Sequence, residues 1–278
     1  MIDYIKRKIE KRKVKSTFQE YGFAVESFQL EGIGEVEYAQ WLHPFDKPKQ
    51  LTNASVAFYQ QLTTPGGMII DIGAHTGDTT VPMALAVGKQ GLVLALEPNR
   101  YVYKILEKNA SLNPKTTNIV PLCLAATDQS GTFTFNYSDA SFCNGGFLSQ
   151  INSKRHGHHY TLEVRGVNLQ EYLLEHYSSE LDRLALIKID AEGYDKEILK
   201  TIPQILSRYQ PSLMIECYKR LNVEERNELF DIVQSAGYTL YYLENFERFD
   251  QLRAIKRSDM TNEKHFEILA IPVSKNLT

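Results

Sequence analysis

The chain has 278 residues, 43% of them hydrophobic and 23% charged, which suits one large domain or two small ones around a sizeable core. A net charge of −3 offers no global electrostatic footprint for nucleic acid, and no apolar run approaches the roughly 20 residues of a membrane span. Cys123, Cys143 and Cys217 are too scattered for a disulfide framework or a zinc site, and the N-terminus has no apolar signal core. A soluble, cytoplasmic globular protein is expected by elimination.

Residues 1–15 interleave Lys6, Arg7, Lys8, Lys11, Arg12, Lys13 and Lys15 with Ile2, Ile5, Ile9 and Val14. On a helix Ile2, Ile5 and Ile9 share one face. Such a basic amphipathic segment could touch an anionic membrane. Packing on the protein body or on a partner subunit is preferred, because the stripe is short and lacks a Trp or Phe anchor. Short strands follow over Phe23–Leu30 and Gly34–Ala39, then a helix over Ser55–Leu62 and a Pro65-Gly66-Gly67 break. Residues 1–60 therefore read as an N-terminal extension making acceptor or oligomer contacts, and 61–278 as the main domain.

From there strand and helix alternate. Met68–Ile72 is an apolar strand, Thr79–Val87 a helix, Leu92–Leu96 a strand, Tyr101–Ser111 a helix and Ile119–Leu124 a third strand. Thr132–Tyr137 and Tyr160–Val164 alternate as strands around the polar stretch Ser138–Gly157, and Gln170–His176 is helical. The strand Leu184–Ile189, the helix Tyr194–Arg208 and the strand Ser212–Glu216 come next. The helix Glu224–Ala236 and the strands Thr239–Leu243 and Phe266–Ile271 close the chain. Apolar strands separated by helices predict a mostly parallel sheet covered on both faces, with an antiparallel edge.

In such a sheet ligands bind beyond the carboxyl ends of the strands. Those ends are Asp71, Glu97, Ala125-Ala126, Asp190 and Glu216. The turn after the first strand reads Asp71-Ile-Gly-Ala-His-Thr-Gly-Asp78. A dinucleotide fingerprint would need glycine where His75 stands, and Asp78 in the first helical turn would repel phosphates. S-adenosylmethionine carries a sulfonium and no phosphate, so carboxylates near the turn favour it. Glu97 is placed to accept from two ribose hydroxyls, at about 1.5–3 kcal/mol per bond.

A second cluster is Lys188-Ile-Asp-Ala-Glu-Gly193. Lys188 lies inside an apolar strand and needs a partner, which alternation supplies in Asp190 and Glu192. The cluster either places an acceptor hydroxyl, with a carboxylate taking its proton, or forms a supporting salt-bridge network. No metal is expected there, because Lys188 already supplies the countercharge. His156-Gly-His-His159 reads as a solvated loop, with acceptor binding by one histidine as the next reading.

These motifs resemble the FkbM family of S-adenosylmethionine-dependent O-methyltransferases. The matching pieces are Ile70–Asp78, Ala95–Asn99, Asn109–Asn113, Ala125–Asp128, Val167–Tyr172, Ile187–Gly193 and Pro211–Glu216. The resemblance implies a Rossmann-like class I methyltransferase fold with a seven-stranded sheet, and methyl transfer to a hydroxyl of a sugar, glycan or natural product. It implies cofactor contacts from Asp71, Gly73, His75, Glu97 and Asn99, to which the adjoining Ala74, Gly77, Asp78, Pro98 and Ala126 are added. Asp190, Glu192 and Lys188 are the candidate catalytic group; Asn144 and Glu216 are the candidate acceptor contacts. The partner expected is a small-molecule or glycan acceptor, not nucleic acid. The rival readings are an NAD-linked oxidoreductase of similar topology and a non-catalytic module that keeps the sheet.

Overall fold

Five strands of continuous apolar sequence find one another because each is buried on both faces. The computed structural model describes residues 13–143, 145–146, 160–244 and 252–275. An N-terminal hairpin pairs β1 (Phe23–Leu30) with β2 (Gly34–Trp41), followed by α1 (Asn53–Gln60). The main sheet begins with β3 (Met68–Ile72), α2 (Thr80–Val87), β4 (Leu92–Leu96), α3 (Arg100–Leu112) and β5 (Ile119–Leu122). Strands β6 (Ala125–Thr127), β7 (Gly131–Tyr137), β8 (Gly145–Gly146) and β9 (Tyr160–Asn168) form a second, four-stranded sheet in the order β6-β9-β7-β8. The chain continues through α4 (Leu169–His176), β10 (Leu184–Ile189), α5 (Asp195–Thr201), α6 (Pro203–Tyr209), β11 (Ser212–Cys217) and α7 (Val223–Ser235). It ends with β12 (Tyr238–Leu243), β13 (Arg253–Ala254) and β14 (Phe266–Pro272).

The main sheet runs β13-β12-β14-β11-β10-β3-β4-β5. Strands β11, β10, β3, β4 and β5 are parallel, whereas β14, β12 and β13 are antiparallel at one edge. Strand order reverses between β3 and β10, so the crevice of an open α/β sheet falls there. Alternation sorts the core into two layers. Met68, Ile70 and Ile72 face the layer built with α4, α5, α6 and α7, while Ile69 and Leu186 face α1 and α2.

Several elements differ from the sequence reading. Two-residue β13 brings the sheet to eight strands. The single helix expected over Tyr194–Arg208 is two, because Pro203 has no N–H to continue the first and Ile202 leaves helical geometry (φ −121°, ψ 33°). The strand from Ile119 stops at Leu122, and Ala125–Thr127 crosses to the second sheet, pairing with β9 rather than β4. Residues 1–12 of the basic segment, Asn144 and His156–His159 lie outside the described residues.

The hairpin is held by a ladder of side chains. Asn109 on α3 and Asn113 at its C-terminal cap stand about one turn apart, a rise of about 6 Å, which matches two residues of strand. Asn113 accepts from Glu37 N (3.0 Å) and donates to Glu37 O (2.8 Å). Asn109 does the same at Ala39 (2.6 and 3.1 Å) and also donates to Thr76 O (2.7 Å). The two amides thus pair the backbone of β2 as a neighbouring strand would.

Candidate active site

A cavity of about 400 Å³ opens at the strand-order reversal, within the range of small-molecule sites. Its back wall is the turn after β3. Gly73 (φ +76°) sits so close to the end of β10 that a Cβ there would lie 2.0 Å from the Asp190 carbonyl oxygen, so no other residue fits. Asp190 N donates to Ile72 O (3.0 Å), tying the two strand ends together. His75 follows in the left-handed region (φ +48°), and burial pushes its imidazole toward the neutral form.

That strained turn aims the His75 N–H at Glu97. Glu97 Oε2 accepts from His75 N (3.0 Å) and Oε1 from Asn99 N (2.8 Å). Each oxygen keeps a second lone pair, and Glu97 lines the cavity. Burial raises its carboxyl to about 7, against the pull of those two N–H donors. Asn99 also caps α3, accepting from Tyr101 N (3.0 Å), and its amide donates to Phe142 O (2.6 Å). Pro98 and Ala126 share this wall, with Leu96, Leu124 and Phe135 supplying apolar surface.

On the other side Asp190, Glu192 and Lys188 face the same space. Register pairs Lys188 with Asp71 across β10 and β3, which puts both side chains on one face. Lys188 Nζ lies 3.5 Å from Asp71 Oδ1 and 3.3 Å from Asp190 Oδ2. Burial works against its charge, but Asp190 and Asp71 outweigh burial and hold Lys188 above the usual lysine range. Glu192 adopts φ +52°, another left-handed residue at the site, before Gly193 turns the chain into α5.

Asp71 is placed differently. It is fully buried and absent from the cavity lining; its Oδ2 accepts from Thr79 Oγ1 (3.0 Å) and Thr80 Oγ1 (2.6 Å). It is a pillar that orients the turn, α2 and Lys188. Ala74 and Gly77 also sit behind the wall: Ala74 packs with Ala95 and Leu106, and a Cβ on Gly77 would meet Leu106 Cδ1 at 3.1 Å. Asp78 does line the cavity and pairs with Lys49 (3.3 Å). Glu216 lies outside it, at the end of β11, its carboxyl raised to about 9 by burial and then by Asp190, Asp195 and Glu192.

Sequence reasoning missed part of the frame. Phe45, Asp46 and Lys49 reach the cavity from the segment after β2, Tyr137 from the end of β7, and Cys143 from the segment after it. Lys49 bridges Asp46 (3.4 Å) and Asp78, which fastens that segment over the turn. Nothing local marks these residues; only the folding of the hairpin against α3 brings them in.

A Rossmann-like sheet with two carboxylate-bearing strand ends around one cavity suits the class of S-adenosylmethionine-dependent methyltransferases. The family model for the methyltransferase FkbM domain matches residues 71–240, more than half of the chain. The chain belongs to that family. It is similar to a methyltransferase, sdnD, of Sordaria araneosa, at 22% identity over 193 residues that cover 62% of this chain and 73% of that protein. Among solved structures, it is similar to methyltransferase FkbM of Methylobacillus flagellatus (13% identity, TM-score 0.43, covering 78% of this chain and 51% of that one). It is also similar to a SAM-dependent O-methyltransferase of Thermotoga maritima (14% identity, TM-score 0.42, covering 90% and 78%).

The cofactor is S-adenosylmethionine. The residues present fit it. Glu97 offers lone pairs that suit a ribose diol, the apolar walls suit a base, and Asp78 and Asp190 put negative charge on the cavity wall, which suits a ligand carrying a sulfonium and an ammonium.

Proposed function

We propose that this methyltransferase acts on a hydroxyl oxygen of a sugar, glycan or natural product. Supporting this is the placement of Glu97 and Asp190 on two walls of one cavity, at the ends of strands separated only by β3. Glu97, Asn99, His75 and Pro98 bind the donor, with Asp71, Ala74 and Gly77 shaping the turn from behind. Bound S-adenosylmethionine supplies an electrophilic methyl group. Asp190, with Lys188 holding its Oδ2, or Glu192 would take the acceptor hydroxyl's proton as its oxygen takes the methyl group from sulfur, a contribution of about 10²–10⁴-fold. The acceptor enters beside Asp190 and Glu192, toward Glu216.

Family membership as a methyltransferase displaces the NAD-linked reading. Among the described residues, no helix is long and apolar enough to cross a membrane, in keeping with the proposed cytoplasmic enzyme. The test is calorimetric titration with S-adenosylmethionine, followed by methyl transfer to a panel of sugars and alcohols. Asp190→Asn and Glu192→Gln should lower turnover by about 10²–10⁴-fold and leave donor affinity within a few fold. Donor binding without transfer to any acceptor would favour a non-catalytic module, and unchanged turnover in both variants would remove their role as bases.

A further inference from the structure

Glu216 poses a problem that the methyl-transfer site does not answer. It is 7% exposed, and its Oε2 is buried with no hydrogen-bond partner, an arrangement that costs free energy in a folded protein. The β11–β14 register sets it directly opposite Glu267, on the same face, where like charges repel. His265 stands just before β14, its Nδ1 3.5 Å from Glu216 Oε1. One donor atom from each of the three residues lies within 4.8 Å of the others.

We infer that Glu216, His265 and Glu267 form a binding site for a divalent cation, of the chemistry of zinc. Two carboxylates facing each other over a buried, unpartnered oxygen call for a positive charge, and the half-exposed imidazole gives an ion a path in. At metal–ligand distances near 2.1 Å, two ligands of a tetrahedral ion lie about 3.4 Å apart, which the Glu216–His265 separation matches. An imidazole among carboxylates selects zinc over magnesium. Three protein ligands leave a fourth position for water or a substrate oxygen. Strands β10 and β11 run side by side with Ile189 opposite Ile215, so Asp190 and Glu216 follow at adjacent strand ends and the ion stands beside the proposed acceptor site. That last role rests on the proposed function; the binding of the ion does not.

The test titrates Zn²⁺ calorimetrically into the full chain after chelator treatment, with Co²⁺ absorption as a second probe. One saturable equivalent is expected, with visible bands from bound Co²⁺. Glu216→Gln and His265→Ala should each weaken it at least about tenfold. The His158→Ala/His159→Ala double variant should leave it unchanged. Zn²⁺ should raise the melting temperature of the wild type and not that of Glu216→Gln, which also shows that the variant folds. Absence of saturable binding, or binding that survives both ligand variants or disappears with His158 and His159, overturns the site. A separate titration of the metal-free chain with S-adenosylmethionine reports on the methyltransferase reading. Zinc binding without donor binding upholds the ion site and sinks that reading; donor binding without zinc binding does the reverse.

Discussion

Asp71 shows how one residue can govern a site without lining it. Its two oxygens are committed to Thr79, Thr80 and Lys188, and the whole side chain is out of solvent. Removing it leaves two hydroxyls without their acceptor and takes from the buried Lys188 ammonium one of its two carboxylates. Asp71→Ala should therefore cost about 3–5 kcal/mol of unfolding free energy in urea titrations, the range for breaking a buried ion pair. Weaker donor binding should follow, because the turn carrying His75 loses its footing. A variant of wild-type stability would show that Asp71 is no pillar. Glu97 is the contrasting case: its carboxylate faces the cavity, and Glu97→Ala should weaken donor binding at least about tenfold, at about 1.5–3 kcal/mol for each lost bond to the charged group.

Among the elements, the hairpin carries the largest functional consequence. Among the described residues, strand β2 has a strand partner only on its β1 side, and the other edge is satisfied by Asn109 of α3 and Asn113 at its C-terminal cap. This edge pairing seats β2 on the body, and the segment that follows places Phe45, Asp46 and Lys49 in the cavity. Asn109→Ala strands the Ala39 and Thr76 backbone groups that its amide serves. Each buried group left unsatisfied costs about 1–3 kcal/mol. We expect a destabilised protein whose hairpin is cut first in limited proteolysis and whose donor affinity falls with it. Unchanged proteolysis would mean that the β1–β2 unit is held by packing alone. The residues called an N-terminal extension from sequence thus make direct contact with the main domain.

At the scale of the whole molecule, the balance of buried charge sets a pH dependence. Burial raises Glu97 from its ordinary 4.5 to about 7. A raised carboxyl binds more protons folded than unfolded between those values, so its contribution to the stability of the donor-free protein falls as pH rises from 4.5 to 7. Ribose hydroxyls donate to the ionised form. Donor affinity should accordingly climb as pH rises to about 7 and then level off, with proton release on binding below that pH. Calorimetry in buffers of different ionisation enthalpy measures that release. Release that persists in Glu97→Gln would assign the proton to another group.

The order of the parallel strands, the helices between them and the positions of Glu97, Asp190 and Lys188 were legible from sequence, because strand burial, glycine turns and strand-end carboxylates are local patterns of the chain. The same logic stopped at Leu122, since nothing local says that Ala125–Thr127 leaves the main sheet to pair with β9. It could not separate Asp71 from Glu97 either. Both are acids at strand ends, and only three dimensions show that one turns to Thr79, Thr80 and Lys188 while the other opens to the cavity. Sequence by itself determined the wall of the cavity carried by β3 and β4, which is built on consecutive β–α units. Tertiary structure alone decided the rest: Lys49 over the turn, the asparagine ladder along β2, and Glu216 across from Glu267. Those contacts join residues far apart in the chain, and their chemistry exists only once the sheet has brought them together.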